Sequence, residues 1–229
     1  LEAGHGPAPR LGRTARIGVE YAGEWALKRW RFFERSTLVI ARDLIGMHLV
    51  HDDGRRLRRG RIVETEAYQG PRDRAAHSSR GRTARTEVMF GAPGHAYVYF
   101  IYGFWNCLNV VTGAVGVPHA VLLRALEPLA GLGERTSGPG LLCRAMGIDR
   151  RFNGIDLLGD ELWLEAGHGP APRLGRTARI GVEYAGEWAL KRWRFFERGS
   201  AYVSGVRTRA RPAAGAGHAP LRNNARART

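Results

Sequence analysis

The spacing of apolar residues changes from a helical to a strand period near Gly46. Residues 37–45 carry apolar side chains three and four positions apart, which predicts one short helix. Apolar and polar residues then alternate through 47–51 and 57–68, as they do in strands with one buried face. An Asp-Asp-Gly turn at 52–54 separates these runs, so the pattern predicts an antiparallel pair of strands after the helix.

The middle of the chain predicts a β-hairpin preceded by a long loop. Residues 96–101 and 105–112 have strand patterns, and the Tyr-Gly-Phe tripeptide at 102–104 can turn the chain between them. A further strand is predicted at 119–126. Residues 69–94 are rich in Gly, Arg and Pro, and a loop of that length in a compact domain is usually functional or disordered.

The last third of the chain predicts one helix and three short strands. Gly-Pro-Gly at 138–140 favours the start of a helix that ends near Gly147. Strands are predicted at 160–166, 178–185 and 200–204, with a helical turn near 186–192. After Gly205 the chain is rich in Arg, Ala, Pro and Gly, which predicts a basic, disordered tail over 206–229.

A long identical repeat interrupts this order. Residues 1–35 recur without change as 164–198. Repeats that stack into solenoids are usually degenerate, so we interpret this one as a recent duplication, a cloning feature or an assembly error. Two identical segments cannot occupy one docking site in a monomer. We therefore expect 1–31, identical to 164–194, to lie outside a native fold that spans 32–205.

The charge of the chain favours a polyanionic partner. The formal net charge is +15 and the isoelectric point is about 11.1. An alternative is that the charge resides in solvated tails, because residues 206–229 hold six arginines and no acidic residue. The body of the chain remains basic without that tail, although less than the total charge suggests, so a polyanionic partner stays the interpretation.

Length, cysteine content and hydropathy exclude several protein classes. The 229 residues suit one domain with appendages, and 44% hydrophobic residues are enough for a core. Cys107 and Cys143 lack metal-ligand spacing, so neither a disulfide framework nor a zinc site is predicted. No apolar run approaches the roughly 18 residues of a membrane span, and no signal-peptide pattern is visible, so an intracellular protein is expected.

Glu66 is the first candidate for chemistry. On a strand over 61–68, Ile62, Glu64, Glu66 and Tyr68 share one face. A carboxylate beside an aromatic ring on a partly apolar face is typical of a general base. The alternative is an ion pair at the strand edge with one of the many arginines, and the residues alone favour that alternative.

The other candidates have equally plain structural interpretations. Tyr97 and Tyr99 have the spacing of core aromatic residues on a strand, and His77 is typical of a hydrogen-bonding residue in a loop. Arg124 lies in an apolar run, where it could pair with Glu127. Tyr102 is different, because the tip of a hairpin is a poor place to bury a tyrosine.

Five strings in this order resemble the alkyladenine (3-methyladenine) DNA glycosylase family, of the type with a single mixed α/β domain. They are residues 60–68, 75–78 and 89–103, the strand that contains Asn109, and 121–128, with weaker matches at 138–148, 179–188 and 199–205. The resemblance covers roughly 32–205. It implies an α+β fold in which a curved, mainly antiparallel sheet carries a protruding β-hairpin and flanking helices.

The resemblance also implies an activity. Such enzymes are monofunctional hydrolases of base excision repair, which flip and excise alkylated or deaminated purines such as 3-methyladenine, ethenoadenine or hypoxanthine from double-stranded DNA. They need no cofactor or metal and have no lyase activity. A monomer in the bacterial cytoplasm or nucleoid is expected, or in the nucleus of a eukaryote.

Residue roles follow from the matching positions. Glu66 matches the residue that activates water, and Arg124 matches one near the DNA phosphates at the site. Tyr68, His77 and Tyr99 match residues that enclose the flipped base. Asn109 matches the residue that crowds the exocyclic amine of normal guanine, and Tyr102 matches the wedge that enters the minor groove. Glu64 is expected to form a structural ion pair, and Tyr97 to pack in the core.

Two rival hypotheses remain open. A non-catalytic, basic nucleic-acid-binding module would bind DNA without releasing a base, and Glu66 would only pair with an arginine. A bifunctional glycosylase that nicks DNA would need an amine for a Schiff base. Only Lys28, Lys191 and the amino terminus offer one, and neither lysine lies in the motif stretch, so this hypothesis ranks last.

Overall fold

One antiparallel sheet organises the molecule. In the computed structural model, which describes residues 32–133, 135–168 and 170–205, this sheet has eight strands accompanied by two short α-helices. In chain order the elements are α1 (Thr37–Asp43), β1 (His48–Asp52), β2 (Leu57–Gln69), β3 (Ala96–Ile101), β4 (Trp105–Thr112), β5 (His119–Ala130), α2 (Pro139–Met146), β6 (Leu162–Glu165), β7 (Leu174–Thr177) and β8 (Arg194–Glu197).

Strand β2 is the centre of the sheet. The main path runs β3-β4-β5-β2-β1-β6, and β8 also pairs with β2 and carries β7. The register between β2 and β5 is irregular at three places, between Arg59 and Gly60 and on both sides of Glu64. Such irregularities bend a strand and increase its twist. The sheet curls into a half-barrel within one domain, and the predicted fold class is confirmed.

One face of the curled sheet packs against both helices. The main apolar core joins α1 and α2 to the sheet through fully buried side chains such as Ile40, Leu123 and Leu142. Thr65 faces the same side, because its hydroxyl donates to the carbonyl oxygen of Ala41 in α1 at 2.7 Å. The opposite face of β2 is therefore free to carry polar groups.

The register irregularity corrects one prediction about β2. Strict alternation would place Ile62 on the same face as Glu64 and Glu66, but Ile62 belongs to the main core. The pairing shift between Ile62 and Glu64 breaks the alternation there. Beyond Glu64 the period of two resumes, with Ala67 in the main core and Glu66 and Tyr68 opposite.

The predicted elements of the first two thirds are largely confirmed. The hairpin strands have the predicted bounds, and the helix predicted to start at 138–140 is α2. Its residues Leu142 and Met146 are buried, whereas Leu141 and Ala145 are half-buried. The long loop contains two short 3₁₀ turns, at His77–Arg80 and Glu87–Phe90.

Predictions for the last third were partly wrong. Residues 178–185 do not form a strand, because β7 ends at Thr177 and a 3₁₀ segment occupies Glu183–Leu190. Gly181 and Gly186 have φ angles of 73° and 60°, which interrupt extended backbone. Residues 200–204 are turns and bends, and the strand β8 was not predicted at all.

The second copy of the repeat forms part of the sheet. It begins in β6 and continues through β7 and β8. Residues 1–31 and 206–229, for which an appended segment and a disordered tail were predicted, lie outside the described residues. The division into domains therefore stays a prediction. Among the described helices, neither has the length and hydropathy to cross a membrane.

Candidate active site

A cavity of about 310 Å³ opens on the face of the sheet opposite the main core. Its wall contains six of the seven predicted site residues, namely Tyr68, His77, Tyr99, Tyr102, Asn109 and Arg124. Glu66 is fully buried next to this wall. The structure thus brings all seven residues to one place, although they come from β2, the long loop, the hairpin and β5.

Glu66 is held by two hydrogen-bond donors and one ion pair. The Tyr68 hydroxyl donates to Oε2 at 2.8 Å, the backbone N–H of Ile180 donates to Oε1 at 2.8 Å, and Nη1 of Arg124 lies 3.2 Å from Oε2. All three partners line the cavity. Burial raises the pKa of Glu66 above its usual range, and these partners offset part of the rise.

Glu64 occupies a closed polar cluster beside the cavity. Its Oε1 accepts from Nε of Arg124 at 2.9 Å and from Nε of Arg194 at 2.6 Å. Ser204 donates its backbone N–H to Oε2 at 2.5 Å and its hydroxyl to Oε1 at 2.8 Å. The expected structural ion pair of Glu64 is therefore present.

Arg124 connects the two carboxylates. It lies beside both Glu64 and Glu66, so the alternative pairing with Glu127 is wrong. Glu127 instead lies 3.6 Å from Arg61. Glu66 does pair with an arginine, as the strand-edge alternative proposed, but this pair is buried at the cavity and does not lie at an exposed edge.

Three rings form the aromatic side of the cavity. The edge of His77 approaches Tyr99, with 4.5 Å between ring centroids, and Nδ1 of His77 lies 3.0 Å from the hydroxyl of Tyr97. Burial, followed by the charges of Arg85 and Arg80, lowers the pKa of His77 to about 4. His77 is therefore neutral at neutral pH. Tyr97 is buried as predicted, and it also holds the His77 ring.

Asn109 is fixed on β4 by the neighbouring strand. Its side-chain amide donates to the carbonyl oxygen of Tyr97 at 3.1 Å, and the residue is buried in the cavity wall. A buried amide whose donor is already engaged keeps one orientation. Asn109 therefore offers a fixed steric and polar feature to any ligand in the cavity.

Tyr102 stands at the tip of the β3–β4 hairpin. Its exposed fraction is 78% and its φ angle is 55°, a left-handed conformation that costs an L-residue about 1–2 kcal/mol. Within the described part of the chain it is the single non-glycine residue with positive φ. Strain at an exposed aromatic residue on a cavity rim is a feature of functional sites.

The sequence did not reveal the segment that closes the cavity from the other side. Ile180, Gly181, Val182 and Tyr184 line the wall, and Arg179 immediately before them forms a buried pair with Asp73. Because this segment was predicted to be a strand at 178–185, it was not assigned to the site from the sequence. The available signal was the weaker family-like string at 179–188.

No group of metal-binding residues accompanies these side chains. Across the described ranges, no cluster of three or more His, Cys, Asp or Glu side chains could hold a metal ion. The polar groups at the cavity are instead one carboxylate, one guanidinium, one amide, one imidazole, the thiol of Cys107 and several phenols. Such a set suits acid–base and electrostatic chemistry.

Comparison with known proteins agrees with this geometry. The family model for methylpurine-DNA glycosylase matches residues 31–201. A protein of Anaeromyxobacter dehalogenans strain 2CP-C, named "Putative 3-methyladenine DNA glycosylase", is 53% identical over 174 residues, which cover 76% of this chain and 84% of the relative. Proteins of the same name from Legionella pneumophila strain Lens and Myxococcus xanthus strain DK1622 are 50% and 51% identical, over 76% of this chain and 95% and 91% of the relatives.

These matches confirm the resemblance found in the sequence and the enzyme class that it implied. The matched region contains the sheet, the cavity and all seven predicted site residues. The chain belongs to the methylpurine-DNA glycosylase family.

Proposed function

We propose that this protein is a monofunctional DNA glycosylase that flips damaged purines out of double-stranded DNA and hydrolyses their N-glycosidic bonds. Its substrates are alkylated or deaminated purines of the 3-methyladenine, ethenoadenine and hypoxanthine type, and it acts as a monomer in base excision repair. The observation that carries the proposal is the buried carboxylate of Glu66, whose three partners all line one aromatic cavity.

Glu66 has the environment that this reaction requires. Cleavage of an N-glycosidic bond builds positive charge on the sugar, as glycoside hydrolysis does. A carboxylate can deprotonate the attacking water and stabilise that charge. Tyr68 and Ile180 donate hydrogen bonds to Glu66 and Arg124 forms an ion pair with it, so all three stabilise its anionic form. Burial raises the pKa of Glu66, and a general base works best with a pKa near the operating pH.

The cavity suits an electron-poor base. An alkylated purine is often cationic, and aromatic rings such as those of Tyr68 and Tyr99 attract cations. Arg179 and Arg85 each lie over one face of these rings, so the base would meet the opposite faces. His77 is neutral at neutral pH, so it does not repel such a base. The cavity volume of about 310 Å³ lies at the lower end of ligand sites, which span roughly 300–1,000 Å³. Asn109, with its fixed amide, would crowd the exocyclic amine of guanine.

The hairpin tip suits base flipping. Removing a base from the stack costs a few kcal/mol, and a side chain inserted into the duplex offsets that cost. Tyr102 is exposed, aromatic and next to the cavity entrance, so it can fill the space that the flipped nucleotide leaves. The net charge of +15 favours association with the DNA backbone.

One set of incubations tests this proposal. The full chain is incubated with duplexes that contain ethenoadenine, hypoxanthine or no lesion, and with methylated DNA, and each reaction is assayed for free base. Nicking is scored with and without alkali. We expect base release from damaged DNA. We expect strand breaks only in those reactions that are afterwards treated with alkali. DNA binding without base release would favour the non-catalytic module, and nicking without alkali would favour the bifunctional enzyme.

A further inference from the structure

The buried pair of Arg179 and Asp73 lies directly behind the cavity. Nη1 and Nη2 of Arg179 bind the two carboxylate oxygens of Asp73 at 2.5 and 2.9 Å, and both side chains have no exposed surface. Arg179 also donates to the carbonyl oxygens of Ala67 and Trp188, each at 3.0 Å. Ion pairs this deep lose much of their Coulombic gain to desolvation, so stability alone is a weak reason for the pair.

The two hydrogen bonds to Glu66, from Tyr68 and Ile180, both come from groups that adjoin Arg179. Its guanidinium carbon lies 4.7 Å from the centroid of the Tyr68 ring, and the Tyr68 hydroxyl donates to Glu66. The next residue in the chain, Ile180, donates its backbone N–H to the other carboxylate oxygen. Arg179 thus contacts the ring that carries one donor and adjoins the peptide that carries the other.

Asp73 links the same point to the rest of the cavity wall. Its carboxylate accepts from the backbone N–H of Gln69 at the end of β2 and from that of Ala75 in the long loop, each at 3.1 Å. Ala75 lines the cavity and precedes His77. The pair therefore joins three chain segments that surround the cavity, although it lies outside the wall itself.

We propose that Arg179, held by Asp73, is a positioning residue that fixes both the Tyr68 hydroxyl and the Ile180 N–H on the carboxylate of Glu66. The proposal rests on the role of Glu66 in the proposed function. Arg179 does not touch the reacting atoms and acts through Tyr68 and Ile180. Misplacement of a catalytic group by about 1 Å can slow a reaction by about a hundredfold.

The test compares Arg179→Met and Arg179→Lys with Arg61→Met. Arg61 pairs with Glu197 between β2 and β8 and does not line the cavity, so Arg61→Met is a control for the loss of a partly buried arginine pair away from the cavity. Lysine keeps the charge of Arg179 but lacks the planar fork. Each variant is measured for melting temperature, affinity for lesion DNA, and the single-turnover rate of base release as a function of pH.

We expect Arg179→Met to release base at least about tenfold more slowly than the wild type, with lesion binding retained. The rising limb of its pH profile should move to higher pH, because Glu66 loses donors that stabilise its anion. Arg179→Lys should shift in the same direction by less, and Arg61→Met should change only the melting temperature. Other charged and titratable groups also influence the pKa of Glu66 or have a pKa that Glu66 influences, namely Glu64, Tyr68, Tyr99, Cys107 and Arg124. All the variants retain these groups.

A ¹³C NMR titration gives the same comparison without substrate. The Glu66 carboxyl signal is assigned by its loss in Glu66→Gln, and we expect its pKa to rise in both Arg179 variants. If the Arg179 variants leave the pKa of Glu66 and the rate per folded molecule unchanged, the positioning role is overturned. A wild-type pH profile in Arg179→Lys would also overturn it, because the charge of Arg179 and not its geometry would then explain any effect of Arg179→Met. A wild-type protein that releases no base would overturn the proposed function, and the titration would still decide the positioning role.

Discussion

Glu64 and Glu66 lie two residues apart on β2 and are both fully buried, but their surroundings differ. The partners of Glu66 all line the cavity, whereas two of the three residues that bind Glu64, Arg194 and Ser204, do not. Burial alone therefore does not distinguish the proposed catalytic carboxylate from the structural one. The difference lies in whether the groups around the carboxylate also face a space that a substrate can enter.

The strongest test of this contrast is Glu66→Gln, which keeps the shape and removes the charge. Base release should fall by roughly 10²–10⁴-fold, the usual effect of losing a general base, while lesion binding persists. A single-turnover assay on an ethenoadenine duplex measures this. Near-normal release by the variant would refute the assigned role of Glu66.

Glu66→Gln should also change the pH dependence of stability. The folded protein raises the pKa of Glu66 above 4.5, so the folded state binds this proton more tightly than the unfolded chain does. The free energy of unfolding should therefore fall as pH rises from about 4.5 towards the raised pKa. Urea unfolding across this range should show that decline in the wild type and a smaller decline in the variant.

Glu64→Gln should have the opposite effect, lowering stability more than the rate of base release. The substitution leaves the buried Arg124 and the partly buried Arg194 without their full counter-charge, and the loss of one partner of a buried ion pair typically costs about 3–5 kcal/mol. The melting temperature should fall clearly, and the rate of base release per folded molecule should stay close to that of the wild type. A variant with normal stability and a large loss of rate would show that the two carboxylates share one role.

Tyr102→Ser separates base flipping from the chemistry of either carboxylate. The loss of the wedge should remove a few kcal/mol of compensation for unstacking, so release from duplex DNA should slow strongly. The fold should persist because the side chain is exposed. Release from a lesion in single-stranded DNA, where no opposing base must be displaced, is the matched control and should change less. A sharp fall in melting temperature would identify Tyr102 as a core residue.

Tyr68→Phe should slow base release less than Glu66→Gln or Tyr102→Ser does. It removes one donor from Glu66 and keeps the ring that packs on Arg179. The pKa of Glu66 should rise further, so the rising limb of the pH–rate profile should move to higher pH with a loss of about tenfold or less near neutrality. Ser204→Ala, which removes a donor from Glu64, is the counterpart on the structural side. It should leave this profile unchanged.

The sequence predicted those parts of the fold that local pattern determines. The β3–β4 hairpin has its predicted bounds because alternating residues flank a Tyr-Gly-Phe turn. The break in alternation between Ile62 and Glu64 could not be predicted, because a strand bulge depends on the register with β5. The strand predicted at 178–185 was wrong. The apolar residues there alternate as in a strand, but Gly181 and Gly186 turn the chain.

The sequence motifs could identify which residues belong to the candidate site, but not the contacts between them. The resemblance singled out Glu66 and six residues that the structure gathers around one cavity, and their individual roles stay predictions. Nothing in the sequence indicated that Arg179 would bind Asp73, because 106 residues separate them. A contact of that kind depends on how β2, the long loop and the 178–190 segment come together.

The left-handed backbone at Tyr102 bears on how this protein would survey undamaged DNA. The protein without DNA already has this conformation, so in the wedge role proposed for Tyr102 no ordering cost of about 1–2 kcal/mol for that residue would recur at each base pair. The dwell time of the proposed wedge at a base pair would then be governed by how readily that pair opens. A diffusing protein molecule would then stay longer at weakly stacked or mispaired sites than at intact base pairs, before any base reaches the cavity.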